Sequence, residues 1–145
     1  MTTTQTDETA ERTCYLPMWD EASEEFHNGY LIYRTGDPFF VRLEIEDWPA
    51  PVVAPRDVLR DGVTGRAECL SKPDTTALRV QPSPDGKYVL FGITQGDLLL
   101  GVFRTYADAL DKHLAGLYEL VPEGEEMTRI DWDFLIACMC ARDSK

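Results

Sequence analysis

The stretch TGDPFFVRLEIE, residues 35–46, contains the clearest strand pattern in the chain. Four apolar residues alternate there with four that are mostly polar: Phe39, Val41, Leu43 and Ile45 against Phe40, Arg42, Glu44 and Glu46. A period of two places the first set on a core face and the second on a solvent face. Residues 30–34 are also strand-like, and the intervening Thr-Gly-Asp-Pro has the composition of a turn. The stretch therefore predicts a β-hairpin over residues 30–46.

Strand patterns recur further along the chain, at residues 66–70, 77–81, 87–94 and 98–104. The sequences SPDG at residues 83–86 and QGD at residues 95–97 supply turns between the last three segments. These three segments therefore predict an antiparallel meander. Its middle strand is apolar at nearly every position, so we expect both of its faces to be covered.

A short connector helix is predicted at residues 56–61. Pro55 precedes it and Gly62 follows it, the arrangement expected at the start and just past the end of a helix. We expect Gly62 to end this helix in a left-handed backbone conformation.

A longer helix is predicted after the last strand. Thr105 and Asp108 have capping-box spacing, and one apolar stripe follows, made of Tyr106, Leu110, Leu114, Leu117 and Val121. Pro122 and Gly124 would end this helix, again with a positive φ at the glycine.

A final helix is predicted at residues 130–141. Its apolar stripe, Trp132, Leu135, Ile136 and Met139, is widened by Phe134 and Cys138. Because so broad a stripe favours contact on two sides, Trp132, Ile136 and Met139 are candidates for an oligomer interface.

The composition predicts one globular domain at residues 26–145, preceded by a loose acidic tail at residues 1–25. The chain has 145 residues, of which 43% are hydrophobic and 28% charged, values typical of folded domains. The start of the chain has no basic region leading into an apolar one, and the longest apolar run, residues 98–103, is too short to cross a bilayer. We therefore expect a cytoplasmic protein.

The residue types that perform chemistry do not form a recognisable catalytic or metal-binding motif. Cys14, Cys69, Cys138 and Cys140 form no Cys-x-x-Cys pair, and the side chains of Cys138 and Cys140 would point about 200° apart on a helix. Reduced thiols are therefore favoured over zinc. The glutamates at 123, 125 and 126 do not follow the calcium-loop pattern, and the glycines at 92, 96 and 101 do not form a phosphate loop.

Histidines and paired carboxylates give no catalytic prediction either. His27 and His113 have no serine or cysteine motif attached. Asp131 and Asp133 lie at the start of the last predicted helix, where carboxylates stabilise the helix end. We predict a protein that is not an enzyme and that has no catalytic residue, no metal and no cofactor.

Five arginines in the first half of the chain raise the possibility of a nucleic-acid surface. Arg34, Arg42, Arg56, Arg60 and Arg66 lie near Tyr30 and Phe40. They are interleaved with aspartates and glutamates, however, and the formal net charge of the chain is −12. Because affinity for nucleic acid depends on neutralising phosphates, local ion pairs are the favoured interpretation.

Three spaced segments resemble the SsgA-like proteins, actinobacterial regulators of sporulation and cell division. They are GDPFFVR at residues 36–42, RDVLRDG at residues 56–62 and LVPEGEE at residues 120–126, in the order found in the family. The matching residues are Asp37, Pro38 and Phe39, then Arg56, Asp57, Leu59 and Gly62, and finally Leu120, Pro122, Gly124 and Glu126. The chain departs from the family at Val52 and Ala54, where aromatic residues are usual, and at residues 65–67.

The resemblance implies an α+β fold in which two antiparallel sheets pack with C-terminal helices. This architecture is similar to the Whirly single-stranded nucleic-acid binding fold, and the family assembles as a trimer. It implies a non-enzymatic regulator of septum-site selection, at the division septum, whose partners are the tubulin-like division protein FtsZ or another SsgA-like protein. The alternative prediction is a single-stranded nucleic-acid binding module of the same fold.

Overall fold

The computed structural model describes residues 10–49, 51–64, 76–130, 132–133 and 136–137. Its strands are β1 Glu11–Asp20, β2 Phe26–Arg34, β3 Phe40–Ile45, β4 Val52–Pro55, β5 Thr76–Pro82, β6 Tyr88–Gln95 and β7 Leu98–Tyr106. Helix α1, Arg56–Val63, follows β4, and helix α2, Ala107–Leu120, follows β7. A 3-10 turn at Glu126–Thr128 comes after α2. The α+β class predicted from the sequence is confirmed.

The strands form one seven-stranded antiparallel sheet in the order β4-β3-β2-β1-β7-β6-β5. Two meanders make up its halves, and they join where Trp19 pairs with Arg104 and Asp20 with Phe103. The two edge strands, β4 and β5, lie close to each other, and α1 lies against β5. The sheet is therefore strongly curved, and the described strands form one continuous sheet rather than the two sheets that the resemblance implies.

Strand β1 corrects the prediction of a loose tail at residues 1–25. It pairs with β2 along its length and with β7 at its end, so it lies in the middle of the sheet. The side chains of Leu16 and Met18 are completely buried. Both faces of this strand carry large apolar residues, so the alternation that identifies a strand was hidden in the sequence.

The predicted hairpin and the predicted meander are both present. Val41, Leu43 and Ile45 point into the core, whereas Phe39 precedes β3 and its side chain is 38% exposed. The turns predicted between the strands of the meander are present, and Gly86 and Gly96 adopt positive φ angles in them. Strand β4 was missed because it is short and lies between prolines. The strand predicted at residues 66–70 lies outside the described residues.

Two predictions of helix ends are wrong. Gly62 lies inside α1, which ends at Val63, and it is not among the described residues with a positive φ. It is required instead by packing, because a Cβ atom there would lie 2.8 Å from the carbonyl oxygen of Val80. Thr105 belongs to β7 and caps no helix; its hydroxyl donates to the carbonyl of Pro17, 2.7 Å away.

The long helix packs on the core with the predicted stripe. Leu110, Leu114, Leu117 and Val121 are buried, while Tyr106 is 45% exposed on the strand before the helix. Of the final helix, residues 132–133 and 136–137 are described and helical, and Trp132 and Ile136 are exposed. Met139 lies outside the described part of the chain. Within that part, no helix combines the length and the apolar character needed to span a membrane.

Candidate functional site: the Arg56 junction

Arg56 begins α1, and its side chain is 1% exposed. The Nη1 group donates to the carbonyls of Leu117 and Val121, at 3.2 and 2.8 Å, and to the hydroxyl of Tyr33 at 3.0 Å. The two carbonyls lie at the C-terminal end of α2, where a cation is favourable. The carbonyl of Leu117 also accepts from the backbone N–H of Val121, at 3.1 Å. Arg56 therefore joins the start of one helix to the end of the other.

The carboxylate of Glu126 balances the charge of Arg56. Its Oε2 atom lies 2.9 Å from Nη2, and its Oε1 atom accepts from the backbone N–H of Gly124 at 2.8 Å. A hydrogen bond from its own backbone N–H, with those from Gly124 and Arg56, holds the pKa of Glu126 below its usual value. Gly124 has φ +95°, a backbone angle that glycine adopts at less steric cost than residues with a Cβ atom.

The segment at residues 36–39 reaches the same place through two hydrogen bonds. The hydroxyl of Tyr33, which accepts from Arg56, donates to the carbonyl of Pro38 at 2.9 Å. The backbone N–H of Arg56 donates to the carbonyl of Phe39 at 2.7 Å. Burial raises the pKa of Tyr33 to about 12, so the hydroxyl stays protonated and keeps its donor role. We call this cluster the Arg56 junction: Tyr33, Pro38, Arg56, Val121 and Glu126.

Tyr118 covers the outer side of the junction. The centre of its ring lies 3.9 Å from the guanidinium carbon of Arg56, within the range of a cation–π contact. Its hydroxyl donates to Asp57, and burial, with this hydrogen bond, raises its pKa. Arg60 extends the polar network at the surface by pairing with Glu123 at 2.9 Å.

Solved structures that resemble this chain include two sporulation proteins. The first is an SsgA-like sporulation-specific cell division protein from Thermobifida fusca YX-ER1, with 26% identity, a TM-score of 0.63, and coverage of 88% of this chain and 93% of that one. This similarity confirms the resemblance to the SsgA-like proteins that the sequence predicted. The second is SsgB of Streptomyces coelicolor, which shares the fold at 23% identity and a TM-score of 0.63, with coverage of 83% and 96%. No family model matches the sequence, and no curated protein matches it.

The three segments that suggested the SsgA-like family are far apart in sequence and meet at the Arg56 junction. Asp37 is half-buried beside it, Leu59 is buried, and Leu120 packs against the core. Pro122 is exposed, and its carbonyl accepts from Glu125. Trp132 and Ile136 belong to the chain beyond the junction, where they are exposed.

The junction is closed rather than open to a ligand. Both Nη groups of Arg56 are occupied by acceptors of the chain itself, and the side chain is almost inaccessible. The arrangement fastens α1, α2 and the 3-10 turn together, and it presents no free nucleophile. Across the described ranges, no group of three His, Cys, Asp or Glu residues could hold a metal ion.

The histidines and cysteines weighed above as catalytic or metal-binding candidates have these places in the structure. His27 and His113 lie within hydrogen-bond distance of the carbonyls of Glu46 and Tyr15, at 3.1 and 2.8 Å. Cys14 is a buried free thiol, and burial raises its pKa. Cys69, Cys138, Cys140, Asp131 and Arg66 lie outside the described residues.

Sequence reasoning missed two aromatic members of this network, Tyr33 and Tyr118. The parity of β2 would have placed Tyr33 inward with Leu31, because alternate residues share a face. No local signal indicates that Tyr118, on α2, covers an arginine of α1, since 61 positions separate Tyr118 from Asp57.

Proposed function

We propose that this protein belongs to the SsgA-like family and is a non-enzymatic regulator of sporulation-specific cell division that acts by binding other proteins. The observation that carries the proposal is the similarity to the Thermobifida fusca sporulation-specific cell division protein, which extends over 88% of this chain. The closed Arg56 junction supports it, because the family segments build a framework rather than a reaction centre.

We propose that the protein works at the division septum and that its partners are FtsZ or another SsgA-like protein. The motif residues at 37–39, 56–62 and 120–126 would act indirectly, by holding the surfaces that contact the partner. Two exposed apolar groups are available for such contacts: Leu98 and Leu99, which are 63% and 57% exposed, and Trp132 and Ile136, at 55% and 54%.

We also propose a Whirly-like trimer. Strands β1 and β7 pair through two residue pairs, and β4 lies close to β5. Both features support a description of the curved sheet as two packed halves. The exposed apolar groups would supply the contacts between subunits. Multi-angle light scattering of the wild type should give three times the chain mass, and a monomer mass independent of concentration would contradict the trimer.

The functional test is a fluorescent fusion in a sporulating actinobacterial host that also carries labelled FtsZ. The fusion should concentrate at septa at the time of sporulation, and purified protein should retain FtsZ or an SsgA-like protein. Diffuse fluorescence of a correctly folded fusion throughout sporulation would contradict the proposal.

The nucleic-acid alternative receives less support from the described arginines. Arg42 pairs with Glu44 at 3.0 Å and Arg60 with Glu123 at 2.9 Å, while Arg56 is buried against Glu126. Phosphate binding at these positions would have to replace the existing ion pairs, and the net charge of −12 opposes approach of a polyanion.

A further inference from the structure

Four aromatic side chains form a continuous row on the outer face of the sheet, across β2, β1, β7 and β6. The ring centres of Phe26 and Trp19 are 5.5 Å apart, those of Trp19 and Tyr106 are 5.4 Å apart, and those of Tyr106 and Tyr88 are 5.4 Å apart. We call this row the aromatic ladder: Phe26, Trp19, Tyr106 and Tyr88. Because it crosses three strand spacings of about 4.8 Å, it is roughly 14 Å long.

The ladder has a structural role, but that role leaves much of it exposed. It crosses the place where β1 and β7 are joined by two residue pairs, so its ring contacts reinforce the narrowest part of the sheet. Phe26 is nevertheless 50% exposed and Tyr106 45% exposed. Exposed aromatic rings in a row are typical of surfaces that bind another molecule.

Arg104 shows what kind of group the ring faces accept. Its guanidinium carbon lies 5.6 Å from the centre of the Trp19 ring and 5.4 Å from that of Tyr88. The charge of Arg104 is already balanced by Glu21, at 2.7 Å. The ladder therefore binds one guanidinium of its own chain, and it has little positive charge left over for a phosphate.

The charge around the ladder also excludes a polyanion. The segments that carry it, residues 19–26, 84–88 and 104–108, contain six acidic residues and two basic residues, a net charge of −4. An open cleft of about 340 Å³ beside Tyr88 and Arg104 has Glu21 and Asp85 among its lining residues. Exposed ring faces next to carboxylates complement a chain that carries cationic heads on apolar stems.

We propose that the aromatic ladder and this cleft bind an extended, basic peptide segment of a partner protein. The rings would contact proline or aliphatic side chains and the stems of lysine or arginine. Asp85 would pair with one of their cationic heads, while Glu21 keeps its ion pair with Arg104. The inference rests on the proposed function, since it names the surface and the partner chemistry of a protein that acts by binding proteins.

The test uses fluorescence anisotropy with three labelled probes: a peptide of four Lys-Pro-Leu repeats, a peptide of four Glu-Pro-Leu repeats, and a twelve-nucleotide oligo-dT. The full chain should bind the lysine peptide saturably and bind neither of the others. Phe26→Ser and Tyr106→Ser should each weaken binding about tenfold, and Asp85→Asn should weaken it about threefold. Phe40→Ser, which alters another exposed aromatic outside the ladder, should leave the affinity unchanged.

Several results would overturn the inference. They are equal binding of both peptides, an equal loss of affinity in Phe40→Ser, or oligo-dT binding that is lost in Phe26→Ser and Tyr106→Ser. Circular dichroism and urea unfolding of each variant establish that it is folded, and Asp85→Asn tests the surface without changing an aromatic ring. If the lysine peptide does not bind while the fusion still concentrates at septa, the inference fails and the proposed function stands. If the peptide binds but the fusion is diffuse, only the proposed function fails.

Discussion

Replacing Arg56 with alanine should destabilise the protein far more than replacing a surface arginine. The change removes four side-chain hydrogen bonds, three from Nη1 to neutral oxygens and one from Nη2 to Glu126. Nη1 has two hydrogens for its three acceptors, so these are weaker than three separate bonds. The larger effect is that Glu126, 7% exposed, loses its counter-ion. Breaking a buried pair in this way costs about 3–5 kcal/mol.

Arg42→Ala is the matched control for this measurement. Arg42 also pairs with a glutamate, at 3.0 Å, but the two side chains are 45% and 44% exposed. An exposed ion pair contributes about 0–1 kcal/mol, because water screens the charges and both side chains lose freedom. The two variants therefore make the same chemical change and differ mainly in the burial of the arginine.

The assay is urea unfolding followed by tryptophan fluorescence, with thermal unfolding as a second measurement. For Arg56→Ala we expect a loss of about 3–5 kcal/mol, which corresponds to a fall in Tm of about 10–20 °C for a domain of this size. Arg56→Lys keeps the charge but lacks the planar fork, so it should lie between the wild type and Arg56→Ala. Equal losses in Arg56→Ala and Arg42→Ala would refute the idea that the junction is a main fastener of the fold.

The pH dependence of the folding stability tests the Arg56–Glu126 ion pair through the ionisation of Glu126. Its pKa is lowered in the folded state, so its carboxylate stabilises the fold above its unfolded value, 4.5, and this stabilisation is lost as the pH falls through the folded pKa. Glu126→Gln should therefore be less stable than the wild type at pH 7, and the gap should shrink below about pH 4.5. A gap that stays constant from pH 7 to pH 3 would show that the charge of Glu126 does not matter.

Three further predictions concern the sheet, the first helix and the two tyrosines whose rings lie near Arg56. Leu16→Ala should cost about 2–5 kcal/mol in urea unfolding, because Leu16 is completely buried in a central strand; a loss under about 0.5 kcal/mol would restore the view of residues 11–20 as a loose tail. Gly62→Ala should lower the free energy of unfolding by about 1–3 kcal/mol, because the new Cβ atom meets Val80. Helix propensity alone would raise it by about 1 kcal/mol. The sign of the measured change therefore shows whether packing against Val80 outweighs helix propensity. The pKa values of both Tyr33 and Tyr118 are raised, and that of Tyr33 is about 12. Their neutral hydroxyls therefore stabilise the fold fully below pH 10.0, and this stabilisation is lost as the pH rises through the folded pKa values. An absorbance titration should show their ionisation coinciding with unfolding at alkaline pH, and phenolate formation by both in a folded chain near pH 10 would contradict this.

Local sequence pattern determined the elements whose two faces differ in polarity. The alternation of residues 39–46 identified β3, the glycine turns identified the β5–β7 meander, and the leucine spacing after Tyr106 identified α2. Each of these signals depends on neighbours within a few residues, and the backbone period converts such spacing directly into a buried face. The three motif segments were also recognisable, which was enough to suggest the family.

The partners of these elements were decided by tertiary structure. Arg56 and Glu126 are 70 positions apart, and nothing in either local pattern indicates that one neutralises the other. Periodicity reports which face of an element is apolar, but not which element covers it. For the same reason β1 was mistaken for a tail: Tyr15 and Trp19 make its outer face as apolar as its inner one, and only its pairing with β2 and β7 shows that it is central. Gly62 likewise looked like a helix end because its requirement for a small residue comes from Val80, on a strand that packs against the helix.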